Sequence, residues 1–80
     1  MHMAQIDWRT IKKVDKDKCT IHEKVQATYS VFEKTGQKYF QIDTYGKSDR
    51  EIPGKISQSF QLDKESAKFL VEKLKKEFDL

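Results

Sequence analysis

Few residues in this 80-residue chain are of the types that chemistry requires. Cys19 and His22 stand close enough in sequence to be considered as a nucleophile and its base. No third group near them would orient such a pair, and a histidine beside Glu23 reads as a surface residue. Asp49, Arg50 and Glu51 bring two carboxylates together, the raw material of a nuclease metal site. Acids pressed against an arginine in a polar loop read more simply as a solvated turn. A metal site needs three or four ligands at regular spacing, which this chain does not offer. It also has no glycine-rich phosphate loop. The expectation is a protein without catalysis, cofactor or metal.

A second kind of chemistry is better represented. Single-strand nucleic-acid binders combine basic grooves with aromatic rings on which bases stack. Tyr39 and Tyr45 fall on one face of an alternating run, with Lys38, Lys47, Arg50 and Lys55 close in sequence. Tyr29 and Phe32 lie on the preceding run, on opposite faces, and Lys34 follows at its turn. Two observations weigh against the binding reading. Aromatics are common in strands for packing reasons, and Asp43 on the tyrosine face repels phosphate. The net charge is +3. Lysines and acids balance from Asp63 to Leu80, so the basic excess lies wholly in Met1–Leu62. That bias is compatible with a polyanion partner, though on charge alone ordinary solubilising charge is the stronger reading.

These residues must be positioned by a small domain. A chain this short buries only about 60% of its unfolded surface, so dimerisation is expected to supply missing core. The lone Cys19 allows no internal disulfide and fits a reducing, intracellular (cytoplasmic, nucleoid or nuclear) setting. No apolar run approaches the ~20 residues of a membrane span. Met1-His2-Met3 reads as an expression leader followed by a second start, and residues 1–18 as an N-terminal extension. Within it Asp7 could cap a single turn. Trp8 reads as a ring packed on the domain, with nucleotide stacking as the alternative.

Residues 19–80 read as one domain of strands followed by a helix. Cys19–Glu33 has strand character, with Val25, Ala27, Tyr29 and Val31 alternating on one face. Gly36 supplies the positive φ of a hairpin turn. Lys38–Tyr45 alternates next, and Lys55–Leu62 follows a polar loop holding Pro53. Asp63 is an N-cap for a helix whose stripe is Ala67, Leu70, Val71, Leu74 and Phe78. Phe69 lies off that stripe and is a candidate subunit contact. The expected class is α+β: several antiparallel strands forming a sheet with one face covered by the C-terminal helix and the other free.

The order YFQIDTYG, KSDREIPG, KISQSFQL and then an Asp-capped helix resembles the DNA-binding domain of the positive-cofactor-four transcriptional coactivator family. The likeness spans roughly Val25–Phe78, and the family's bacterial relatives are small stand-alone proteins. It implies a four-stranded antiparallel sheet plus C-terminal helix, dimerised through helices and sheet, with single-stranded DNA lying across aromatic, basic ridges. By position, Tyr45 matches a stacking aromatic at a strand end and Lys55 a basic residue after the loop. Phe32 lies near another aromatic of the family. The last strand is longer here, Asp49 and Glu51 dilute the loop's basic character, and the N-terminal segment has no counterpart.

The functional expectation is non-enzymatic binding of single-stranded DNA, or of RNA, by a homodimer serving transcription, repair or recombination. The proposed contacts are Tyr29, Phe32, Lys34, Lys38, Tyr39, Tyr45, Lys47, Arg50 and Lys55. A protein-interaction module using a sheet edge or the Phe69 helix, and a duplex nucleic-acid binder, remain the alternatives.

Overall fold

The computed structural model describes residues 2–46 and 54–80. Its elements are β1 (His2–Gln5), a single 3₁₀ turn (Trp8–Thr10), β2 (Ala27–Lys34), β3 (Gln37–Thr44), β4 (Gln58–Leu62) and α1 (Lys64–Phe78). One four-stranded sheet in the order β1-β4-β3-β2 is followed by the helix, an α+β arrangement. No helix among the described residues is long and apolar enough to cross a membrane.

The β2–β3 hairpin closes through Thr35 and Gly36, at φ 51° and 78°. Positive φ at both central turn positions matches the right-handed twist of paired strands. The register follows, with Phe32 opposite Tyr39 and Ala27 opposite Thr44. Strand pairing stops there because β3 ends at Thr44 and the chain turns at Gly46, φ 73°. Residues 19–26 form no strand pairing with β3. The strand begins at Ala27, not at Cys19 as the sequence suggests, and the final rung runs from the Tyr45 N–H to the Gln26 carbonyl at 3.0 Å.

The fourth strand comes from an unexpected place. His2–Gln5, which reads as leader and extension, pairs in parallel with β4, so the sheet is mixed and not purely antiparallel. The pairing is continued by the Ile6 N–H, which donates to the Gln61 carbonyl at 2.9 Å. Asp7 then caps the 3₁₀ turn by accepting from the Arg9 N–H at 3.0 Å, the role its position suggests. The predicted strand from Lys55 is shortened to Gln58–Leu62.

The α1 helix opens as expected. The Asp63 carboxylate accepts from the Ser66 N–H at 2.8 Å and satisfies one of the orphan donors of the first turn. Ser66 is completely buried, and its hydroxyl donates to the Ile6 carbonyl at 2.8 Å. The other end closes on Asp79 in the left-handed region, with Lys75 and Lys76 in the last turn complementing the helix dipole.

The helix does not lie along the sheet. Ala67 and Leu70 of the apolar stripe are half-buried, whereas Val71, Leu74 and Phe78 are exposed, Phe78 to 69%. Cross-strand register gathers Tyr29, Val31, Phe40, Ile42, Phe60 and Leu62 on one sheet face. Tyr29 on that face is 71% exposed and Val31 52%. Among the described residues, Leu62 is the only buried apolar side chain. The apolar sheet face is thus covered only near the first turn of α1, and the expectation of a helix covering the whole face is not met.

The Asp63 carboxyl is held below its ordinary range, chiefly by the Ser66 N–H. A lowered folded value means the cap stabilises the fold above the ordinary aspartate range and fades as pH falls through the lowered value. Asp63→Ala is expected to reduce stability by about 1 kcal/mol at neutral pH, read as a lower urea midpoint. The gap between variant and parent should narrow in acid.

Candidate nucleic-acid interface

Strand alternation places Tyr39, Gln41, Asp43 and, just beyond β3, Tyr45 on the face opposite the apolar one. Register adds Thr28 and Phe32 from β2 and Ser59 and Gln61 from β4. The result is a polar face with aromatic rings at both ends. At the hairpin end, Phe32 and Tyr39 are cross-strand partners and stack with ring centres 5.5 Å apart and planes 22° off parallel. At the other end, the Tyr45 hydroxyl is 2.8 Å from the Thr28 hydroxyl. All three rings are half-buried, so each is held in place and still presents surface.

Between the rings runs a hydrogen-bonded strip. Asp43 is only 9% exposed, and its Oδ1 accepts from both the Ser59 hydroxyl and Gln41 Nε2, the latter at 2.9 Å. Gln61 Nε2 in turn donates to Gln41 Oε1 at 2.9 Å. A carboxylate only accepts, so it dictates the direction of the whole chain. Gln41 must point its NH₂ at Asp43, which leaves its carbonyl to receive Gln61. Two strands, β3 and β4, have therefore to be in register before this strip exists.

The cations of the proposed contact set are spread more widely. Lys34 belongs to the polar face at the hairpin end. Lys55 is exposed ahead of β4, where Gln58 pairs with Thr44 at the opposite end of β3. Lys47 and Arg50, with Asp49 and Glu51, lie outside the described residues. Tyr29 and Lys38 fall on the apolar face, Tyr29 stacked on Phe40 at 5.1 Å and Lys38 paired across the ladder with Glu33. The structure therefore brings Phe32, Lys34, Tyr39 and Tyr45 onto one surface and puts Tyr29 and Lys38 on the other.

Sequence reasoning passed over Gln41, Ser59 and Gln61 and counted Asp43 only as a repulsive charge. Alternation could have added Gln41, since it shares a strand face with both tyrosines. Ser59 and Gln61 needed the β3–β4 register, which no local signal carries. Among the described residues, no group of three His, Cys, Asp or Glu side chains could hold a metal ion. On the apolar side, an open cleft of about 620 Å³ separates the hairpin from the first turn of α1, lined by Val31, Phe40, Leu62 and Ala67.

No family model, curated protein or solved structure matches this chain.

Proposed function

We propose that this chain binds single-stranded nucleic acid, DNA in the first instance, on the polar sheet face and catalyses no reaction. The observation that carries the reading is the pairing of two aromatic ends with a hydrogen-bonding strip on a face α1 leaves open. Bases stack on the Phe32–Tyr39 pair and on Tyr45, because every base has a π-face and stacking tolerates sequence. Phosphates run toward the lysine-bearing ends, where Lys34 and Lys55 are exposed, and away from Asp43. The likeness of Val25–Phe78 to the coactivator family supports the same ligand. On this reading the protein works wherever single strands are exposed, in transcription, repair or recombination.

The test is fluorescence anisotropy of a labelled oligonucleotide and its duplex over a salt series. Binding should favour the single strand and weaken as salt rises, since neutralised phosphates release counterions. Tyr45→Ala should cost about 1–3 kcal/mol of affinity. Equal binding of duplex and single strand, or an affinity untouched by the loss of Tyr45, would sink the proposal. A protein-interaction module would show no oligonucleotide binding at all.

A second reading concerns assembly: the chain is a homodimer. Each copy carries an apolar sheet face that lacks a cover, around Tyr29 and Val31, and a helix stripe that lacks a base, Val71, Leu74 and Phe78. These two deficits are complementary, and a two-fold axis lets each copy correct both deficits of the other. One buried apolar residue among the described residues is too small a core for an independent fold of this size. A dimer linked to folding has a denaturation midpoint that climbs with protein concentration. Sedimentation equilibrium should give twice the chain mass, and Leu74→Glu should shift it toward one chain and lower the midpoint. A monomer with a concentration-independent midpoint would exclude the assembly.

A further inference from the structure

We infer that Asp43 makes the polar face selective for bases bearing an exocyclic amino group (cytosine, adenine and guanine) over thymine and uracil. The inference rests on the proposed nucleic-acid reading and concerns which bases that surface takes. It starts from the way the carboxylate is used. Both protein donors, the Ser59 hydroxyl and Gln41 Nε2, converge on the same oxygen, Oδ1. Oδ2 receives no donor from the described residues. Among the described residues, no buried side-chain oxygen lacks a partner, so Oδ2 opens onto the surface of the face.

An ionised carboxylate has room for about four hydrogen bonds, and the acceptor capacity of Oδ2 is unspent. It stands in a strip of neutral side chains, and it forms no ion pair with a described residue. The exposed oxygen thus suits a neutral N–H or O–H donor and repels a phosphate. It cannot swing away to avoid a poor partner, because Ser59 and Gln41 hold its other oxygen from two strands.

Tyr45 supplies the placement. It follows Asp43 by two residues on the same face, about 7 Å along an extended backbone. Its hydroxyl is tied to Thr28, which is the cross-strand partner of Asp43. A base stacked on Tyr45 therefore turns one edge toward Oδ2. An exocyclic amine on that edge donates a hydrogen bond to the carboxylate. The O4 carbonyl of thymine or uracil in the same place sets acceptor against acceptor, which is costly once the stacked base has shielded both from water.

Oligo-dC and oligo-dU of equal length separate the two cases, since their rings match in size and neither carries a methyl group. Measured by anisotropy at mildly alkaline pH, the wild-type chain should bind oligo-dC about tenfold more tightly, as for a hydrogen bond to a charged group. Asp43→Asn keeps the Oδ1 contacts and replaces Oδ2 with an NH₂ donor, so it should abolish or reverse that ratio. Equal wild-type affinities, or an unchanged ratio in a folded Asp43→Asn variant, overturn the inference while leaving single-strand binding in place. The wild-type comparison decides even if the variant does not fold. Oligo-rC and oligo-rU that bind equally, and both more tightly than the deoxy strands, would assign Oδ2 to a sugar hydroxyl and overturn it as well. Failure to bind any of the four at low salt removes the nucleic-acid reading and this inference together.

Discussion

Ser66 is where the parts of this molecule are joined. Its N–H is taken by the Asp63 carboxylate and its hydroxyl by the Ile6 carbonyl, all within a fully buried residue. The first bond starts the helix one residue after β4 ends. The second ties that start to the chain just beyond β1, whose backbone is itself bonded to β4 through Ile6 and Gln61. Helix, central sheet and N-terminal strand are therefore constrained by one small side chain. A larger residue would not fit and an apolar one of the same size would leave the Ile6 carbonyl without this donor. The helix leaves the sheet in a direction set at this junction, which is why its far half is uncovered.

That direction has consequences for both faces. On the apolar side it leaves a cleft and a row of exposed rings and methyl groups, from Tyr29 and Val31 to Phe78. On the polar side it leaves the sheet open between two aromatic ends. A helix folded along the sheet would have completed the core within one chain. The arrangement seen here leaves that core incomplete and the polar face open at the same time.

The register of β3 matters as much as the junction. Each side chain on a strand alternates between faces, so a one-residue slip would exchange the apolar and polar surfaces. The Thr35–Gly36 turn fixes β2 against β3, and the pairing of Phe40 with Leu62 fixes β3 against β4. Only in this register does Asp43 meet Ser59, and only then can the amides of Gln41 and Gln61 line up behind it. The strip is polar, but its groups largely satisfy one another, so the face can present hydrogen-bonding groups at modest desolvation cost.

Much of this was legible in the chain itself. Alternation assigned Tyr39 and Tyr45 to one face and Phe40 and Ile42 to the other; Gly36 marked the hairpin; Asp7 and Asp63 marked the caps. These are local signals, set by bond geometry within a few residues, and they survive folding. The strand at His2–Gln5 was not legible, because four residues of mixed polarity become a strand only when β4 offers an edge. Nor was the true start of β2, since residues 19–26 look extended but β3 has turned away before reaching them. The helix stripe was legible as a stripe, but not what it would cover. Sequence by itself determined the hairpin, the last strand and the helix, their apolar and polar faces, and the caps of the 3₁₀ turn and the helix. The tertiary structure decided the parallel outer strand, the departure of α1 and the joining of Asp43, Ser59, Gln41 and Gln61. Those features depend on contacts between residues distant in the chain, which no local propensity encodes.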